Sequence, residues 1–416
     1  MKLNNYQTNG LGNIRVNKKY NLKIKSGDSE KNIDLVFTNL PVIQIINDSK
    51  IYEEPKSLAR IKINTPEIEN TFSSFIGIEY RGKYSRIYKK RSLGFSLWKK
   101  MVSTETYPAN LLGGISNTDW ILTAAFNDPS RIRNLVSFEI WENLDSLQDE
   151  IHGNHAGIHC QPAEVFLNNN FRGLYLFSGL VNHEMLNLDE GAVLYKANDW
   201  AAGATKFESF DPEISSNKYW NGWEQKFPDS KELINWEPLN ELYELVVNGT
   251  DEDFTNNIYN LIDIELFIDY FLFLNLTFAS DNTGKNIFFF KKNANSKFKL
   301  LPWDLDGSWG IQYDGLQVGY GSILTNNLFC RLHELNPDNY NKKVKSRWQL
   351  LRENNFSREK LYRVFDKYFN LLNSSDIINQ ENKIWGIDLN ISEEQNYIEN
   401  WTTNRLIFLD SYFQAF

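Results

Sequence analysis

Asp281, Asn286 and Asp304, with Asp306 close behind, are the side chains whose types and spacing could do chemistry. Two carboxylates and an amide oxygen meeting at one point make a hard-cation site of the Mg²⁺ type, which phosphate oxygens would complete. The residues between them say how they could meet. Residues 263–277 are apolar on most faces at helical spacing and predict a buried helix. It runs out in 279–284, a cluster of loop formers. Residues 286–290 predict a strand, 291–296 a polar turn, and 298–301 the returning strand, which ends in Pro302-Trp303-Asp304-Leu305-Asp306-Gly307. A hairpin brings its open ends together, so the acids at those ends are expected to share one mouth. Buried carboxylates are costly unless paired, hydrogen-bonded or on a metal. Singly, Asp304 and Asp306 could be a turn cap and a solvated acid, and Asp281 the residue of an Asx-turn. Together, at these spacings, they favour chemistry.

A protein kinase lays out its catalytic groups in this way. A catalytic Asp precedes a metal-binding Asn by five residues, and a hairpin then leads to a second metal-binding Asp. Asp281, Asn286 and Asp304 fit that order, although Ala279-Ser280 stand where His-Arg is usual and Asp304-Leu305-Asp306 replaces Asp-Phe-Gly. The chain resembles the spore coat protein H (CotH) kinase family. The resemblance lies in Pro302-Trp303-Asp304-Leu305-Asp306 through Gly310, and in the upstream pairs Asp281-Asn282 and Lys285-Asn286. It runs from about Leu40 to the region of Trp348.

The resemblance implies an α+β, two-lobed atypical protein-kinase-like fold, with ATP and Mg²⁺ or Mn²⁺ as cofactors. The expected reaction is transfer of the γ-phosphate to a hydroxyl, of protein Ser or Thr or of a small molecule. Asp281 would take the proton, Asn286 and Asp304 the metal, and Asp306 a second metal or a supporting place. The family also has an Arg-Gly strand end, matched by Arg81-Gly82, and a Lys-Lys-Ser-like segment, matched by Lys90-Arg91-Ser92. Arg133-Asn134 and the strand ending in Lys196 match as well, so Arg81, Lys90, Arg133 and Lys196 are phosphate candidates. Phe298 stands at an aromatic position of the family and is a candidate to stack on adenine or to fill the core. Glu139 or Glu142 could pair with a phosphate-holding Lys. The family's hairpin ending in Thr-Glu is here Ser178-Gly179. Two other classes share the layout: a kinase-fold enzyme that transfers AMP or activates a carboxylate, and a pseudoenzyme of assembly.

Composition bounds these readings. At 416 residues the chain exceeds one ordinary core, and 12 Trp with 28 Phe suffice to build two. A net charge of −9 without a basic run argues against binding nucleic acid. No apolar run reaches membrane-span length. The first residues lack a signal pattern, so the expected compartment is the cytoplasm, or outside it if a signal was removed. Cys160 and Cys330 are expected to be free thiols, and His152, His155 and His159 a polar loop.

The elements that position the acids follow in order: an extension over 1–32, a β-rich lobe over 33–185 and a mostly helical lobe over 186–416. Strands are expected at 40–46, 58–63, 75–80 and 92–98, with a basic loop from Lys83 to Arg91 between the last two. A helix over 130–143 and a hairpin over 165–177 complete the first lobe. In the second, 206–228 reads as irregular, 229–236 and 238–248 as helices, 313–327 as a flexible loop, and 344–416 as amphipathic helices.

Overall fold

Apolar alternation in the first half of the chain becomes a closed sheet in the computed structural model, which describes residues 19–416 except 27–28, 66–70, 83–86, 102 and 145–156. After a hairpin of β1 (Lys19–Ser26) and β2 (Ser29–Val36) come β3 (Val42–Ile46), β4 (Ser57–Asn64), β5 (Phe72–Arg81), β6 (Ser92–Lys100), β7 (Ser103–Thr106) and β8 (Asp119–Thr123). Helix α1 (Arg133–Glu142) and the hairpin of β9 (Cys160–Leu167) and β10 (Asn170–Gly179) follow. Neighbours run β3-β4-β5-β6-β8-β10-β9, and β9 returns parallel to β3. Seven strands thus form a barrel, which leaves no free edge among them. Inward side chains such as Ile43, Ile61, Ile78, Phe95, Leu122 and Val165 fill it. Closure rests on Val42 standing opposite Glu164, a pairing that alternation alone does not encode.

The larger core lies beyond the barrel and takes in α1, whose Leu135, Phe138 and Trp141 are buried there. Its sheet has the order β12-β13-β11-β14-β15, built from β11 (Val193–Ala197), β12 (Tyr219–Trp220), β13 (Trp223–Phe227), β14 (Ile287–Lys291) and β15 (Lys299–Pro302). The stretch 206–228, expected to be irregular, therefore supplies two strands. Trp220 and Trp223 bury their rings in this core, and that burial orders the segment. Residues 229–236, expected to be helical, make a single turn on Asp229. They then extend, because the Gln225 side chain captures the Leu233 carbonyl and the Asn235 amide.

Helices α2 (Glu237–Tyr243), α3 (Asp251–Leu261) and α4 (Ile264–Thr277) precede the β14–β15 hairpin. Asp263 caps α4 by accepting from the Leu266 amide, and every residue from Leu266 to Thr277 is buried. The one acid in that buried run, Asp269, is paired with Arg347 Nε and Nη2 at 2.7 and 2.9 Å. Arg347 belongs to α6 (Tyr340–Glu353), which follows α5 (Asn327–Leu335). Helices α7 (Arg358–Asn373), α8 (Ile377–Trp385) and α9 (Ile391–Gln414) finish the chain, and α7 packs on α1. Among the described residues no helix is long and apolar enough to cross a membrane.

Candidate active site

The buried helix α4 ends at Phe278, whose φ of 54° turns the chain sharply into a short 3₁₀ turn over Ser280–Thr283. Asp281 lies in that turn. The next residue, Asn282, is 1% exposed and donates from its amide to the carbonyls of Asn286 and Trp303, at 3.0 and 2.9 Å. One side chain thereby ties the two open ends of the β14–β15 hairpin together. The Trp303 amide adds a bond to the Asn286 carbonyl at 2.8 Å. Asn286 and Asp304 both adopt left-handed backbone, with φ of 56° and 54°. Asn and Asp tolerate that region better than other residues with a Cβ.

Asp281, Asn286, Asp304 and Asp306 line one cleft of about 1310 Å³, together with Arg81, Lys90 and Lys196. The outer face of the barrel roofs it. Glu79 and Arg81 come from β5, Ile121 and Thr123 from β8, and Ser178 from β10. Gly94 on β6 matters here, since any Cβ at that position would collide with the Arg81 side chain lying across it. Lys56 bridges to Asp119 at 2.9 Å, and both reach Ser96. The floor comes from the other core. It holds the hairpin mouth, Lys285 (3.1 Å from Asp281 Oδ2) and the rim residues Lys218, Glu224 and Lys226.

Burial pushes the Asp304 carboxyl above the ordinary Asp range, against the pull of Lys196 and Lys285. Asp304 is nonetheless exposed to the solvent of the cleft that it lines. Asp306 is raised further, by burial and by the negative charge of Asp304. The cations opposite move the other way. Burial lowers Arg81, and burial with Arg81 beside it pushes Lys196 down to about 8. Asp304 and the Asn286 amide make no side-chain hydrogen bond to a described residue. These oxygens are hard donors without a protein partner, so they fit a cation of the Mg²⁺ or Mn²⁺ class. Among the described residues no three His, Cys, Asp or Glu side chains form a ready-made metal cage.

Other candidates sit elsewhere. Arg133 is wholly buried on Asp128 (2.5 Å), the Ser308 carbonyl (2.9 Å) and Glu394 (3.3 Å), and does not line the cleft. Phe298 packs against Tyr195 and Phe289 at the closed end of the hairpin, so it fills the core. Lys90 lines the cleft, yet its amine is wholly buried on Glu381 of α8 at 2.7 Å and on the Leu174 carbonyl. Glu139 faces Lys367 and Tyr368 of α7 and pairs with no cleft lysine. Gly179 stands where a Cβ would come within 3.0 Å of the Asn117 amide. His159 meets the Leu112 carbonyl, both cysteines are free, and Lys83, Arg86, His152 and His155 lie outside the described residues.

The buried pair yields a first prediction. Breaking such a pair costs about 3–5 kcal/mol when the partner is left uncompensated, and Arg131, 3.6 Å from Glu381, recovers part of that. Lys90→Ala should therefore lower the melting temperature steeply, with ATP affinity of the remaining folded protein little changed. Thermal unfolding beside calorimetric titration checks this; a selective loss of ATP affinity would make Lys90 a ligand after all.

The roles of several positioning residues escaped sequence reasoning. Asn134 of α1 accepts from the Leu305 amide at 2.8 Å, and so grips the backbone between Asp304 and Asp306. Trp309 donates to Ser137 of the same helix at 2.9 Å. Gly94, Lys56 and Ser96 show their use only once strand register is known.

Comparison with known proteins gives the family of the chain. The sequence model described as CotH kinase protein matches residues 78–409, which reaches past the stretch quoted above and into α9. The chain is also 22% identical over 289 residues to the inner spore coat protein H of Bacillus subtilis (strain 168), covering 67% of this chain and 71% of that protein. With most of its length matched, from β5 to α9, the chain belongs to the CotH kinase protein family.

Proposed function

We propose that this protein transfers the γ-phosphoryl group of ATP to a hydroxyl, with Ser or Thr of a protein as the acceptor. The barrel would cover the nucleotide and the helical part would carry the catalytic groups, in the manner of a two-lobed kinase. The observation that carries the reading is one cleft lined by unpartnered oxygens of Asn286 and Asp304 on the floor and by Arg81 under the roof. A divalent cation held by Asp304 and Asn286, with Asp306 beside them, would supply neutralising charge for the phosphates. Arg81 and Lys196 add fixed positive charge there. Asp281 accepts the acceptor's O–H proton as that oxygen bonds to phosphorus, and the bond to the bridging oxygen breaks to release ADP. Lys285 occupies one Asp281 oxygen and leaves the other for the proton. Such chemistry is mostly positioning and electrostatics, so few groups are required. In place of Phe298, Ile121 and Leu176 offer apolar surface for the base. The relative's name, an inner spore coat protein, supports a setting in a protein coat.

Purified protein incubated with Mg²⁺ or Mn²⁺, casein and ATP labelled on the γ-phosphate tests the reading. Label should pass to protein. Transfer from the α-phosphate alone would make the enzyme an AMP transferase, and transfer from neither would leave an assembly protein. That last reading draws support from Gly179, where a Glu side chain could enter only by displacing Asn117.

Lys196 gives this reading a pH signature. Its amine keeps its charge below pH about 8 and loses it above. ATP affinity should therefore fall by roughly tenfold as pH rises through that value, the worth of one charge-assisted hydrogen bond. Calorimetric titration across the range should show the fall in the wild type and its absence in Lys196→Met. The same slope in both would take Lys196 away from the phosphates.

A further inference from the structure

A second groove, of about 670 Å³, lies on the barrel face beyond the cleft. Register shows that the two belong to one surface. On β4 and β5, Leu58 stands opposite Gly77, Arg60 opposite Phe75, and Lys62 opposite Ser73. On β5 and β6, Glu79 stands opposite Gly94, Gly77 opposite Ser96, and Phe75 opposite Trp98. Opposed residues of an antiparallel pair share a face. Glu79 lines the cleft while Phe75 and Trp98 line the groove, so one sheet face runs from one to the other. Gly77 separates them, and the Trp98 indole lies over it where any Cβ would collide.

The groove combines an apolar floor with a cationic rim. Ile46 and Leu58, on this face, are 36% and 37% exposed, next to Phe75, Trp98 and Tyr107. Arg60, Lys62 and Lys99 supply the charge, and no Asp or Glu lines the groove among the described residues. Lys99 pairs with Glu105, while Arg60 and Lys62 have no described carboxylate partner. In a chain of net charge −9 this cluster runs against the average. A nucleic acid would meet the repulsion of that net charge and could not use the aliphatic floor. An apolar patch rimmed by charge is what a protein partner covers.

We propose that this groove docks an acidic polypeptide segment with apolar side chains at alternate positions, its acids on Arg60 and Lys62 and its apolar groups on Ile46, Phe75 and Trp98. The docking is independent of the phosphotransfer reading. Where that reading also holds, a segment bound here presents its flanking residues along β5 toward Arg81 and the cleft, as an acceptor would be presented.

Fluorescence anisotropy with a labelled peptide of alternating Glu and Leu, roughly ten residues long so as to span the groove at about 3.3 Å per residue, tests it. The full chain without nucleotide should bind this peptide saturably, more weakly as salt rises, and should ignore its Lys–Leu counterpart. The double variant R60E/K62E should bind about tenfold more weakly, with melting temperature and ATP-induced thermal shift unchanged. Ile46→Asp, which leaves the cations in place, should weaken binding too. Equal affinity of wild type and R60E/K62E for the Glu–Leu peptide overturns the proposal. So does preferential capture of heparin or single-stranded DNA, or self-association abolished by R60E/K62E, which would assign the face to a second copy. Because binding is read without nucleotide, its failure leaves the phosphotransfer reading standing, and the reverse also holds.

Discussion

Asp281→Asn should leave ATP affinity nearly unchanged and slow phosphate transfer by about 10²–10⁴, the usual worth of a general base. The substitution keeps the shape of the side chain and its acceptor oxygen for Lys285, now 3.1 Å away, and removes only the group that can take a proton. The turn itself does not depend on the carboxylate. It is held by main-chain bonds, Asn282 N to Ala279 O at 3.0 Å and Lys285 N to Asp281 O at 2.9 Å. Wild type and variant are compared with γ-labelled ATP and casein, at saturating nucleotide, and ATP affinity is measured separately by calorimetry. A fall in kcat with unchanged affinity is the signature of a group that acts in the transition state. Equal rates would remove Asp281 from the role of base. Lost nucleotide affinity would instead make it a metal ligand.

What was legible in the sequence is the segment whose chemistry is local. The helix ending at Thr277, the hairpin and the acids at its mouth all follow from periodicity and loop formers within one stretch, and the structure has them as expected from that pattern. The roof was not legible, because it depends on register between strands far apart in the chain. Arg81 lies across Gly94, and Lys56 reaches Asp119, only once β4, β5, β6 and β8 are aligned. The basic residues show the same limit. Lys90 and Arg133 sit in segments that read as cationic and phosphate-facing, yet Glu381 of α8 takes Lys90, and Asp128 together with Glu394 of α9 takes Arg133. No local pattern reveals that a helix near the C-terminus carries a carboxylate for a loop of the barrel. Phe298 failed for a simpler reason: a hairpin has two ends, and an aromatic at the closed end cannot reach the open one. Trp220 and Trp223 ordered a stretch whose Asn, Asp and Pro content looked irregular, since burial of large rings outweighs local turn preference.

Asp304→Asn is expected to abolish the metal-dependent part of ATP binding, about a hundredfold in affinity, because a cation on the phosphates is worth several kcal/mol. Asn is the informative replacement. Asp304 has a φ of 54°, which Asn adopts readily and Ala does not, so an Ala variant would mix backbone strain with lost coordination. The carboxyl is held above its ordinary range by burial, has the negative Asp281 nearby, and has no hydrogen-bond partner among the described side chains. Its removal therefore breaks no structural contact and relieves a cost, so the melting temperature without ligand should stay level or rise. Stability kept and affinity lost is the pattern of a group retained for binding rather than for folding. Calorimetric titration of ATP with Mg²⁺, with Mn²⁺ and with chelator, beside thermal unfolding of the unliganded protein, gives both readings. A variant whose affinity still rises with metal as the wild type's does would show that the cation is held by other oxygens, with Asp306 and Asp281 the next to test. A variant that unfolds would show that Asp304 shapes the hairpin mouth instead of serving what binds there.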